Sequence, residues 1–114
     1  GYNWGSAGSW GWETFSDVFD LGLAELKSVA RTKPLAVAEI GCAPGPSKAA
    51  WVSDALIRAR AAGARMVVWF EFDKETDWRL GAEAGVSASA RSVLTGPGWV
   101  TGADYSLVRA ALGI

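Results

Sequence analysis

The sequence predicts an α/β fold with parallel strands, on three observations. Two short apolar runs, Leu35-Ala36-Val37-Ala38-Glu39-Ile40-Gly41 and Met66-Val67-Val68-Trp69-Phe70-Glu71-Phe72, bracket a single helical pattern. Glu39 and Trp69 stand about 30 positions apart, the length of one βαβ unit. One run carries a carboxylate toward its end and the other an indole, and parallel α/β folds gather their functional groups at the carboxyl ends of strands. Crossovers between parallel strands are nearly always right-handed, so the two strands should be neighbours with the helix packed outside them.

The elements follow in order. Residues 1–12 read as a loop, with Trp4, Trp10 and Trp12 set among Gly1, Gly5, Gly8 and Gly11. From Thr14 the spacing of Phe15, Val18, Phe19, Leu23, Leu26 and Ala30 predicts a helix, opened by a capping box of Thr14 with Asp17. Gly22 weakens that helix by about 1 kcal/mol relative to Ala. Pro34 pushes Lys33 into an extended conformation and ends the segment. The first strand spans 35–40, where period two sets Leu35, Val37 and Glu39 on one face. A turn-rich stretch, Gly41-Cys42-Ala43-Pro44-Gly45-Pro46, precedes a helix that starts at Pro46 or Ser47 and runs to about 62. Gly63 suits the position just past its end. The second strand spans 65–72, with Val67, Trp69 and Glu71 on one face. A polar loop follows, then a short helix over 87–94 and a last one over 104–112, separated by Gly96-Pro97-Gly98.

Composition narrows the function. A net charge of −1 from 11 basic and 12 acidic residues leaves no electrostatic footprint for nucleic acid or an anionic membrane. No apolar run approaches the length of a membrane span. Half the residues are hydrophobic, which argues against disorder. With no His and a single cysteine, Cys42, the chain has no internal disulfide, no zinc-ligand set and no Ser-His-Asp triad of its own. At 114 residues it is far shorter than the roughly 250 of a closed (β/α)₈ barrel, and it reads as the C-terminal piece of something longer. Its seven tryptophans are its outlying feature, some for a core and some, in Gly-rich loops, for flat-ring contacts.

Glu39 is the leading candidate residue, because an ionised side chain inside an apolar strand is costly unless it has a task or a partner. Two readings stand side by side: a structural carboxylate turned to solvent or paired with a buried Arg, and a catalytic one. Gly41 beside it and an aromatic on the adjoining strand end favour the second. The matching chemistry is glycosyl transfer, where a retaining glycosidase needs a nucleophilic carboxylate and a second carboxyl some 5–5.5 Å away. An aromatic face beneath the sugar, such as Trp69, would cover its apolar C–H surface. Trp51, Trp78 and Trp99 read as packing residues. Glu71, sharing a face with Trp69, is a candidate second carboxylate or hydrogen-bond acceptor, and Asp77 with Arg79 reads as a loop brace.

Taken in order, Tyr2-Asn3-Trp4-Gly5, Lys33-Pro34, Ala38-Glu39-Ile40-Gly41, Lys48-Ala49-Ala50-Trp51, Val68-Trp69-Phe70 and Lys74-Glu75-Thr76-Asp77-Trp78-Arg79 resemble the C-terminal part of glycoside hydrolase family 26, which holds endo-β-mannanases and some β-glucanases. The resemblance covers about residues 1–80. It implies an α/β fold that is the C-terminal portion of a (β/α)₈ TIM barrel, from the end of strand six to helix eight, incomplete in this chain. Residues 1–114 would be a fragment of one catalytic domain, with 81–114 as terminal helices and tail. It further implies Glu39 as the nucleophile of a retaining mechanism. Trp69 would be a sugar platform, Tyr2 a hydrogen-bond partner of the nucleophile, and Trp4 and Glu71 substrate contacts. No metal or organic cofactor is implied. The partner is a β-linked polysaccharide together with the missing N-terminal part of the barrel, and the setting extracellular. The acid/base glutamate of the family belongs to strand four, which is not in this chain, so the chain alone should be inactive. The alternative is a non-catalytic carbohydrate-binding or inactive fragment, which the exposed aromatics of a Gly-rich loop would also suit.

Overall fold

A computed structural model describes residues 1–100 together with Ser106, Arg109, Ala110 and Gly113. Six elements alternate along it: β1 (Tyr2–Asn3), α1 (Phe15–Val29), β2 (Leu35–Cys42), α2 (Lys48–Ala61), β3 (Ala64–Trp69) and α3 (Val86–Leu94). The strands form one parallel sheet in the order β1-β2-β3. This is the β-α-β-α-β-α pattern expected of part of a barrel, and the described residues do not close into one. Of the last predicted helix, 104–112, most lies outside the described residues; Ser106, Arg109 and Ala110 are helical.

Local chemistry accounts for the helices. The hydroxyl of Thr14 accepts the Asp17 N–H while the Asp17 carboxylate accepts the Thr14 N–H at 2.8 Å, completing the capping box of α1. Gly22 lies within α1 without interrupting it. Gly63, at a φ of 89°, takes the left-handed turn out of α2 that a side chain would strain.

Among the described residues the helices cover one face of the sheet. Val37 and Val67, paired across β2 and β3, both pack into a core with Phe15 of α1 and Trp51, Val52 and Ala55 of α2. The adjoining pair, Ala36 and Met66, is exposed, as is Val68. The helices α1 and α2 pack on the sheet, and α3 packs on α2.

Three expectations are corrected here. Residues 2–3 are a strand, not loop: Tyr2 pairs with Gly41 and Asn3 with Cys42, a long-range match that two residues cannot signal by periodicity. The second strand ends at Trp69 rather than near 72, although the Phe70 N–H still reaches the Ile40 carbonyl at 2.8 Å. Glu39 does not share a face with Val37. The register slips between Val37 and Ile40, so Val37 and Ile40 are both buried while Ala38 and Glu39 are exposed. An irregularity of this kind re-aims one side chain without ending the strand.

Lys48, the first residue of α2, is wholly buried. Its ammonium donates to the carbonyls of Asp77 at 2.9 Å and Arg79 at 3.0 Å, with the Glu83 carboxylate 4.0 Å away. Lys48→Met would leave both carbonyls without their donor. Urea unfolding should show a loss of about 2–4 kcal/mol, and an unchanged midpoint would refute this role for the ammonium.

Candidate active site

The site lies in the carboxyl half of β2, three residues before its end at Cys42, and in β1 beside it. The register slip turns Glu39 out of the core, and its carboxylate accepts a hydrogen bond from the Tyr2 phenol on the neighbouring strand. One carboxylate oxygen is engaged in this way. The phenol is pushed up to about 12, first by burial and then by its bond to Glu39 and the charges of Glu39 and Glu75. It therefore stays a neutral donor across ordinary pH.

Gly41 permits this approach. A Cβ there would stand 2.8 Å from Cδ1 of Tyr2 and 3.0 Å from Cε3 of Trp78, so any side chain would displace one ring or the other. Around Tyr2 the aromatics form a wall. Its ring centroid lies 4.8 Å from that of Trp78, 5.9 Å from Phe70 edge-on, and 6.2 Å from Trp4. Trp4 and Trp78 also meet edge to face at 4.9 Å.

Asn3 holds the loop that carries Trp4. It is fully buried, and its side-chain oxygen accepts the N–H groups of Gly5 and Glu13, both at 3.1 Å. Its amide nitrogen donates to Cys42 Sγ at 3.5 Å. Burial pushes the Cys42 thiol up to about 12, which leaves it unreactive.

The other predicted residues make contacts of their own. Trp69 turns edge-on to Trp51 of α2, centroids 6.3 Å apart, and donates its indole N–H to the Trp78 carbonyl at 2.9 Å. The Glu71 carboxylate accepts the Leu80 N–H at 2.9 Å. The structure thus joins Tyr2, Trp4 and Glu39 through Tyr2, while Trp69 pairs with Ile40, the residue after Glu39, on β2.

The segment between β3 and α3 is tightly tied. Asp73 and Asp77 bridge in antiparallel fashion, and Arg79 grips Asp77 at 2.6 Å and Asp73 at 3.5 Å. The Arg79 guanidinium draws the Asp77 carboxyl down to about 2. Lys74 and Glu75 form an exposed ion pair at 2.9 Å; that contact lowers the Glu75 carboxyl and raises the Lys74 ammonium, which also feels the charge of Glu39.

Trp78, Phe70 and Asn3 were not singled out from the sequence as site residues. Their contacts join positions dozens of residues apart, and no spacing reports them. Among the described residues no group of three or more His, Cys, Asp or Glu is disposed to hold a metal ion, and no helix is long and apolar enough to cross a membrane.

The chain is similar to part of Endoglucanase H of Acetivibrio thermocellus, with 36% identity over 99 residues. The match covers 82% of this chain and 11% of that protein, so the chain spans about a tenth of the relative's length. No family model matches the chain.

The Tyr2–Glu39 contact can be titrated directly. Phenolate absorbance should show Tyr2 ionising near 12, with Tyr105 as the chain's other tyrosine. A folded-state value raised above the ordinary 10 means that the stability this bond contributes is complete below pH 10. It is lost as pH climbs through about 12. Glu39→Gln should lower the Tyr2 value part of the way, since burial remains. A Tyr2 titration unmoved by that change would dismiss the contact.

Proposed function

We propose that this chain is the nucleophile-bearing part of a retaining β-glycanase of the glycoside hydrolase family 26 type. The observation that carries the reading is the hydrogen-bonded pair of Tyr2 and Glu39 on adjacent parallel strands, beside an aromatic wall. Similarity to an endoglucanase supports it, as does the order of the motifs.

In this reading Glu39 attacks the anomeric carbon with its free oxygen, and the glycosidic oxygen leaves as a carboxylic acid elsewhere in the protein protonates it. The carboxylate so formed then takes a proton from water, whose oxygen bonds the anomeric carbon as the bond to Glu39 breaks, restoring both groups. Tyr2 holds the other oxygen and fixes the angle of attack. Trp4 offers its ring to a bound sugar. Trp69 offers a further ring to the sugar and Glu71 a further substrate contact, while each also ties the segment after β3 through the Trp78 carbonyl and the Leu80 N–H.

The acid/base residue comes from strand four of a (β/α)₈ barrel of which the present strands are six, seven and eight. The uncovered sheet face, with Met66 and Val68 exposed, is the interior of that barrel. The substrate is a β-linked mannan or glucan, the enzyme works outside the cell, and no cofactor takes part. The isolated chain, lacking the acid, is inactive.

A second reading, a carbohydrate-binding segment without catalysis, draws on Trp10, which is 72% exposed in the glycine-rich loop. One experiment separates them. In the full-length protein, Glu39→Ala should reduce hydrolysis of β-mannan and β-glucan about a thousandfold or more. Full activity in that variant ends the nucleophile reading, and glycan binding lost only with Trp10→Ala or Trp4→Ala would favour the second.

A further inference from the structure

The loop between β1 and α1 holds out an indole that the Tyr2–Glu39 pair does not use. Trp10 is 72% exposed, although a ring of that size ordinarily buries most of its area. The loop that carries it is closed rather than slack. Buried Asn3 accepts N–H groups from both of its ends, Gly5 and Glu13, and Gly5 bridges to Gly11 in antiparallel fashion inside that clasp. The Ala7 N–H bonds the Trp4 carbonyl at 2.9 Å. The Glu13 carbonyl accepts the Trp51 indole N–H at 2.8 Å, which ties the loop to α2.

Bare glycines set the rings. A Cβ on Gly8 would stand 2.6 Å from Trp4 Cβ and 3.1 Å from Trp10 Cε3, so Trp4 and Trp10 rest on the same piece of backbone. Trp12 braces the loop against the turn after β2, its Cζ3 being 2.9 Å from where a Cβ on Gly45 would sit. Contacts therefore run from Glu39 through the Tyr2 phenol, the Tyr2 and Trp4 rings and Gly8 to Trp10. From Trp4 to Trp12 no side chain carries a charge, and the hydroxyl-bearing Ser6 and Ser9 are exposed. A flat apolar ring on a loop of neutral hydroxyls matches a neutral ligand that has a C–H face and a rim of hydroxyls.

We propose that Trp10 is the platform of a distal subsite, where it stacks on a sugar of the same β-linked chain whose reacting sugar lies at Glu39. The ligand class is a neutral oligosaccharide long enough to pass Trp4. A loop already closed adds little ordering cost on binding, and contacts with a remote sugar can be used to favour the reaction at the near one.

The proposal rests on the reading of Glu39 as nucleophile, and the measurements separate the two. In the full-length protein, kcat/KM would be measured for β-linked manno- and gluco-hexasaccharides and for a short aryl β-glycoside, in the wild type, Trp10→Ala, Trp10→Phe and Glu39→Ala. Trp10→Ala should lower the ratio of hexasaccharide to short glycoside about tenfold, and Trp10→Phe should restore most of it. An unchanged ratio in Trp10→Ala overturns the proposal, as does an equal fall for both substrates. Should Trp10→Ala unfold, the ring is structural and the proposal falls. Activity retained in Glu39→Ala ends the nucleophile reading and leaves the ratio to judge Trp10 by itself. If the wild type cleaves neither substrate, titration calorimetry with the hexasaccharides decides. Binding roughly tenfold weaker in Trp10→Ala upholds the platform, and equal binding removes it.

Discussion

A single buried ammonium sets the geometry of the site. Taking the Lys48 charge out of water costs several kcal/mol, and the cost is offset by two charge-assisted bonds to carbonyls and by the Glu83 carboxylate. Those carbonyls belong to Asp77 and Arg79, the residues on either side of Trp78. The ammonium therefore fixes the backbone before and after one indole. With the Trp78 N–H bound to Phe72 and its carbonyl bound to Trp69, little freedom remains for the ring, which meets Gly41, Tyr2 and Trp4.

From this fixed ring the rest follows in order. Trp78 and the bare Gly41 leave one slot for the Tyr2 ring, and the slot aims its phenol at Glu39. Glu39 in turn faces that phenol only because β2 slips register between Val37 and Ile40. A regular strand would have set Glu39 beside Val37, with the core. Packing, backbone irregularity and the polar contact are thus successive consequences of where the segment after β3 is tied. This is a first layer held by a second, the arrangement that precise binding chemistry requires.

Much of the frame was legible in the sequence because it is encoded locally. The Thr14–Asp17 capping box, the helical spacing from Phe15 to Leu26 and the turn at Gly63 each need only a few neighbouring residues, and α1 and α2 stand where those signals put them. What escaped is non-local. Tyr2 and Asn3 become a strand by pairing with residues about forty positions on. The side of the sheet that Glu39 faces depended on a slip that period two cannot anticipate. Glu39 itself stood out as a charge within an apolar run, whereas Tyr2 was indicated only through the family resemblance. Trp78 was read as a packing residue, and it is one, yet the same packing makes it the wall of the site. Trp69 meets Trp51 edge to face, a contact across elements that no spacing reports.

The electrostatics divide the labour among the carboxylates. A general acid must hold its proton near working pH. Glu75 is ill suited to that, because Lys74 holds its carboxyl below the ordinary range. Asp77 is drawn down to about 2 by Arg79, and Glu71 is engaged by the Leu80 N–H. Neither Glu75 nor Asp77 is thus arranged to donate a proton. A two-carboxyl mechanism requires its acid from another part of the protein, and the open sheet face is where that part would sit.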